Sequence, residues 1–450
     1  MDGVGQWRGV LRLRARPGEV VSPSAGSRFL DSLRSLGMTV GTMLSAAGML
    51  GLATAASAQA PRTRPAPAVP LTLVAPAPSG PYAVGRRFEV WTDSARRDPV
   101  DSTRSREVPV WIWYPAESSG SAAGGPVLPS EWRERRTATL AMKLGPDVAR
   151  AVGSLRVHAR ALAPFARSAR RRPVLLFTPG LGWLASDYSV MLEELASHGY
   201  VVVGIASPGF ADVVRFPDGH EVGRTLGIGE KIGTEQAHVQ ADAAFALRRV
   251  RALALDAASF LRGHIDLARI GAFGHSLGGT TALVLAAHDT GVRAAVNVDG
   301  DPMGDVAAIR PTQPLLLVSS ENPTIAEAPP GKPARFIELT RQGLERSEQR
   351  RTNDWLGIAS RAREAYRARI VGTHHLNFED AALASSRLVT PEQRWMRVGP
   401  IDGARGIVVT TELVRAFFDR TLGDDRDVPS FVAAAARIPE VRVERPLSRR

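Results

Sequence analysis

The stretch RIGAFGHSLGGTTALVLAA, residues 269 to 287, constrains this chain more than any other. A short apolar run leads into Gly274-His275-Ser276-Leu277-Gly278, and an apolar, alanine-rich run follows at once. The first part reads as a buried strand and the last as a helix, with only a sharp turn between them. Glycines on both sides of Ser276 let the chain reverse that tightly without side-chain collisions. A turn so built holds the serine hydroxyl proud of a sheet.

Such a turn needs a sheet around it, and the chain supplies one. PVLLFTPG (173–180), YVVVGIASPG (200–209), AAVNVDG (294–300), PLLLVSS (314–320) and ARIVGT (368–373) are runs of the buried-strand type. VPVWIWYP (108–115) alternates and ends at Pro115. Between these runs, Asp187 to His198 reads as a helix. Gln236 to Leu253 sets Val239, Ala243, Leu247 and Val250 on one helical stripe, and Ile407 to Leu422 closes the pattern. Buried strands alternating with helices predict an α/β fold, a mostly parallel sheet covered on both faces. Functional groups then gather where strand carboxyl ends meet the following turns.

A serine hydroxyl needs a base, and an oriented base needs a carboxylate; in this topology they follow in the order serine, acid, histidine. Downstream of Ser276 the histidines are His288, His374 and His375. His288 lies about three turns along the helix after the serine and points elsewhere. The doublet in VGTHHLNFED (371–380) is left. As a metal handle it lacks a third ligand at suitable spacing, so one of the two histidines is the expected base. Asp299 ends the strand next after the serine turn, whereas Asp301 and Asp305 sit farther into the loop and read as turn or cap residues. An oxyanion hole needs two backbone N–H groups. Leu277 follows the serine, and the glycine-flanked Leu181 of FTPGLGW (177–183) follows an earlier strand.

Several segments together resemble the platelet-activating factor acetylhydrolase family of α/β-hydrolases, in its plasma and bacterial members. They are GPYAVG (80–85), PGLGW with YSVMLEELASHGYVVV, GHSLGG, VNVDGDP, GTHHLNFED and the closing IDGARG to FF (401–418). The resemblance spans roughly 80 to 422 in separate blocks. It implies an α/β-hydrolase fold with inserted cap-like segments, and a serine esterase releasing short acyl chains from glycerophospholipid-like or simple esters without a metal or other cofactor. It places the nucleophile on Ser276, the acid on Asp299, the oxyanion donors on Leu181 and Leu277, and the base on His375, the histidine of the H-x-N-F block. His374 becomes a pocket-wall or surface neighbour. The chain departs from the family at Ser207-Pro208-Gly209, where a histidine-led turn is usual, and in longer segments near 116–172 and 322–367. Acyl transfer on the same residues, or binding without catalysis, are the competing functions; a dehalogenase would want aspartate at the serine's place.

The rest of the chain frames this domain. Before residue 59, Arg28 and Arg34 precede an uncharged Gly/Ala/Leu/Met run that ends in Ala56-Ser57-Ala58. That pattern predicts a signal peptide over 1–58 with a long lead-in, and export with a mature start near Gln59. Seven prolines between 61 and 81 mark a linker over 59–80. The hydrolase domain is expected over 81–450, with 424–450 as a tail. The formal charge of +12 is almost all arginine and scattered, and no zinc-finger or basic-helix pattern accompanies it. This excludes nucleic acid as the expected partner and leaves an ester substrate, with peripheral contact to a membrane or envelope surface. There is no cysteine, hence no disulfide and no thiolate chemistry.

Overall fold

The apolar runs become the middle of one sheet. The computed structural model describes residues 73–118, 125–168, 170–225, 232–321, 334–390, 397–423 and 428–444. The expected signal peptide and most of the expected linker therefore lie outside the described residues. The strands are β1 (Ala83–Arg97), β2 (Ser105–Ala116), β3 (Arg160–Ala161), β4 (Arg172–Thr178), β5 (Val201–Ile205), β6 (Val213–Arg215), β7 (Glu221–Gly223), β8 (Ile265–His275), β9 (Val292–Val298), β10 (Leu315–Ser319), β11 (Ala365–Ile370) and β12 (Val441–Glu444). All but the β6–β7 hairpin share one sheet in the order β12-β11-β10-β9-β8-β4-β5-β2-β1-β3. From β5 to β11 neighbours are parallel, while β2 joins β5 and β12 joins β11 antiparallel.

The helices are α1 (Ser130–Leu144), α2 (Pro146–Gly153), α3 (Ser189–Ser197), α4 (Ile232–Leu255), α5 (Leu277–His288), α6 (Ala334–Ala359), α7 (Ala382–Leu388), α8 (Gly403–Leu422) and α9 (Phe431–Ala435). Alternate side chains of each strand enter opposite cores, because successive Cβ atoms point to opposite faces. On β4, Leu175 and Phe177 face the layer built by α3 and α8, whereas Val174 and Leu176 face the one built by α4, α5 and α6. Chain order places the site. The chain goes from β4 to β5 on one side, then returns to β8 on the other side of β4. The carboxyl ends of β4 and β8 thus flank a topological switch point, where a crevice opens between loops that diverge. This is the α/β-hydrolase arrangement. Among the described residues no helix is long and apolar enough to cross a membrane.

Three readings of the sequence are corrected here. Residues 73–80 are docked, unlike a linker: Leu73 and Ala75 are buried, Ala75 N–H donates to the Arg156 carbonyl, and Ser79 N–H donates to Glu194 at 2.7 Å. Apolar residues between the prolines gain more from burial than an extended spacer would. The tail is also ordered over 428–444, where α9 seats the buried Phe431 and β12 completes the sheet edge. Finally, the long segment 322–367 is not wholly an inserted cap, because the end of its helix belongs to the fold. Its helix α6 buries Trp355, Ile358 and Ala359 in a core layer of the sheet. The other long segment, near 116–172, does border the site. Its α1 rests Trp132 on Phe88 and Trp111, with ring centroids 5.7 and 6.0 Å apart.

Candidate active site

Ser276 stands between β8 and α5 with φ 55° and ψ −126°, in the left-handed half of conformational space that a non-glycine residue enters only under constraint. The constraint is close packing. A Cβ on Gly278 would run into the carbonyl oxygen of Thr178 at the end of β4, and one on Gly274 would strike Gly278 and the same carbonyl. Only glycine lets the helix start lie against the neighbouring strand, so the turn cannot relax.

His375 follows β11. Its Nε2 is 3.2 Å from Ser276 Oγ and its Nδ1 is 2.7 Å from Asp299 Oδ2. Asp299, at the end of β9, also has a positive φ of 52°. Its carboxylate accepts from Ser320 N–H (2.9 Å), Ser320 Oγ (2.8 Å) and Arg351 Nη1 (3.0 Å). Burial alone would raise its pKa; the bond from His375 and the charges of Arg351 and His375 hold it well below the usual carboxylate range. Burial pulls His375 the other way, but its bond to Asp299 and the surrounding carboxylates raise its pKa above the ordinary value. The His375 side chain is 35 % exposed and that of Asp299 only 2 %, so a ligand can reach the imidazole but not the acid.

The histidine loop has its own ties. Asn377 Oδ1 accepts from His374 N–H (2.6 Å) and Gly399 N–H (2.8 Å), which closes the turn that presents His375. Asp380 N–H donates to the Asp187 carbonyl, at the start of the segment that leads into α3. His374 is buried, not at the surface.

The loop after β4 carries Leu181. Gly180 lies where a Cβ would be 3.3 Å from Ser276 Cβ, so this backbone runs beside the serine. Among the described residues, neither Leu181 N–H nor Leu277 N–H donates to another backbone or side-chain group. Gly182 is held from three sides: its N–H donates to the Phe210 carbonyl, and its own carbonyl accepts from Arg136 (3.3 Å) and Lys143 (3.1 Å) of α1. Both cations also lie over the Trp183 ring. Phe210, Val239 and Leu277, with Leu181 and Met303 against them, form a small apolar cluster next to these residues.

All five residues singled out from the sequence therefore meet in one crevice. His288, Asp301 and Asp305 take no part in the Ser276–His375–Asp299 line. Sequence reasoning missed Arg351, Ser320, and the layer beneath the serine. There His275 Nδ1 is 2.9 Å from Tyr188 Oη and 3.5 Å from Glu379 Oε1, and its ring lies 4.7 Å from that of His375. Burial pushes Glu379 up to about 8, so its carboxyl is largely protonated at neutral pH. Among the described residues no group of three or more potential ligands could hold a metal ion.

Fold and crevice define an α/β-hydrolase. The family described as platelet-activating factor acetylhydrolase, isoform II, matches residues 71–207 and 240–435. The chain belongs to that family. It is 25% identical to the platelet-activating factor acetylhydrolase of Bos taurus over 290 residues, 58% of this chain and 60% of that protein. It is 27% identical to a probable 1-alkyl-2-acetylglycerophosphocholine esterase of Arthroderma benhamiae over 249 residues, 53% of this chain and 62% of the relative. The chain thus spans about six tenths of the length of these curated relatives. Among solved structures, a ferulic acid esterase from Streptomyces cinnamoneus superposes with a TM-score of 0.61 at 27% identity, covering 83% of this chain and 100% of that one. These likenesses support an ester hydrolase.

Proposed function

We propose that this protein is an exported serine hydrolase of short-acyl carboxylic esters, with Ser276 as nucleophile, His375 as base and Asp299 as the orienting acid. The observation that carries this reading is the unbroken line Ser276 Oγ, His375 Nε2, His375 Nδ1, Asp299 Oδ2, with spacings of 3.2 and 2.7 Å. His375 takes the hydroxyl proton as Ser276 Oγ bonds to the ester carbonyl carbon. The resulting oxyanion accepts hydrogen bonds from Leu181 and Leu277 N–H. His375 then gives that proton to the leaving alkoxide as the ester C–O bond breaks. Water, deprotonated by the same imidazole, bonds to the acyl carbon, and His375 returns that proton to Ser276 Oγ as its bond to the acyl group breaks and the acid leaves.

Relatives named as platelet-activating factor acetylhydrolase or as its esterase favour a glycerophospholipid with a short sn-2 acyl group. The match to the whole of a ferulic acid esterase chain favours a simple ester instead. Both readings use the same residues. Hydrolysis of nitrophenyl acetate by wild type and Ser276→Ala tests the machinery. A loss of about four orders of magnitude or more is expected, and equal rates sink the reading. A series comparing 1-alkyl-2-acetylglycerophosphocholine, nitrophenyl esters of rising chain length and methyl ferulate separates the substrates. Export is inferred from the N-terminal pattern, and an N-terminus near Gln59 in secreted protein tests it.

A further inference from the structure

Arg351 lies on α6, far in sequence from every residue of the crevice, and its side chain is only 11 % exposed. Nη1 donates to Asp299 Oδ1 at 3.0 Å, the carboxylate oxygen that His375 does not use. Nη2 donates to Glu348 at 2.7 Å, and Nε faces Asp301 at 3.4 Å. Glu348 is itself gripped by Arg367 and Arg369 of β11. The guanidinium is thus fixed by hydrogen bonds through Nη1 and Nη2, with Nε only in charge contact with Asp301, and its charge is directed at the acid from the oxygen that the imidazole leaves free.

We propose that Arg351 is a positioning residue that sets the proton affinity of His375 through Asp299. This rests on the reading of Ser276, His375 and Asp299 as nucleophile, base and acid. A carboxylate that accepts from one donor alone turns its whole charge on the imidazolium. A carboxylate shared with a guanidinium offers less, and the cation repels the imidazolium as well. Arg351 therefore makes His375 a weaker base and keeps it neutral, hence working, to lower pH. The other groups that face His375 pull the opposite way, and Arg351 offsets part of that rise. The carboxyls of Asp299, Glu379 and Asp301 raise its affinity, Glu379 less so because burial favours its neutral form, and buried His275 is held toward its uncharged form. Arg351 also holds Asp299 in one rotamer, on a backbone already in the left-handed region.

The test is the pH dependence of kcat/KM for nitrophenyl acetate with the whole chain, since its acid limb reports the free-enzyme base. In Arg351→Met the limb is expected to rise by about half a unit to one unit, the size of one charge a few ångströms beyond the carboxylate. The plateau is expected to fall roughly tenfold as Asp299 loosens. Arg351→Lys, which keeps the charge, should hold the limb within a few tenths of wild type. A limb unmoved in Arg351→Met, whatever the plateau does, overturns the proposal and leaves Arg351 a structural cross-link. Should Arg351→Met fail to fold by circular dichroism, Glu348→Gln decides. It leaves the Arg351 charge less compensated, so the limb should fall, and no shift or a rise overturns the proposal. Failure of the underlying reading is seen separately, as activity that survives Ser276→Ala.

Discussion

His374 and His375 are neighbours in the chain with opposite surroundings. His374 is 3 % exposed and its backbone closes the loop through Asn377, whereas His375 turns its imidazole between Ser276 and Asp299. His375→Ala should therefore cut kcat/KM for nitrophenyl acetate by about four orders of magnitude while the fold persists. His374→Ala should leave kcat/KM within about tenfold but lower unfolding free energy by about 1 to 3 kcal/mol in urea titrations. The opposite assignment would show as a reversal of the two rate effects. A pH consequence follows from the same residue. The base works only when neutral, and Asp299 outweighs burial in raising its pKa. Activity should fade as pH drops through a midpoint above the value of about 6.5 of an unperturbed histidine, and recover above it. A kcat/KM profile flat down to pH 5 would contradict this.

At the scale of elements, the strand–turn–helix around Ser276 depends on the approach of β8 and α5 to β4. Gly278→Ala forces a methyl group against the Thr178 carbonyl oxygen, so the helix start must shift. It should cost about 1 to 3 kcal/mol of stability and, by moving Leu277 N–H, more than tenfold in kcat. A thermal melt and a rate measurement check both, and a stable, fully active variant would mean the backbone can yield there. This element was legible in the sequence because the apolar run, the glycines and the second apolar run each obey a local rule. The buried strands were legible for the same reason: β4, β5 and β10 each hold a continuous apolar run, and β9 is apolar but for Arg293 and Asn297. β1 was not, because it carries Arg86, Arg87, Arg96 and Arg97 and presents a half-exposed face. Helix α6 read only as a polar insertion, since its buried residues are few amid arginine and glutamate. Arg351 was invisible because its bond to Asp299 joins residues that only the folded sheet brings together. The doublet's register needed a family resemblance, as no local rule separates His374 from His375.

Across the whole molecule the sheet is finished at one edge by its last described residues. β12 covers the outer side of β11, and α9 drives Phe431 into a socket of Tyr366 and Phe417, with ring centroids 4.9 and 6.0 Å away. A bare β11 would present unpaired N–H and C=O groups along a strand of alternating arginine and apolar residues, a template for pairing with another copy. The same edge anchors charge, because Glu444 of β12 meets Arg367 and Arg369, which in turn hold Glu348 beside Arg351. The closing segment is thus part of the domain's stability, although three strands separate β12 from β8, which leads into Ser276. Phe431→Ala removes a ring that is fully buried and leaves a cavity between α8 and β11. It should lower the unfolding free energy by about 3 to 5 kcal/mol in urea, with concentration-dependent association as the edge frays. The Ser276 crevice is not in contact with this ring, so the rate per folded molecule should stay near wild type. A loss below about 1 kcal/mol would mean that α9 and β12 dock only weakly, and that the sheet stands without them.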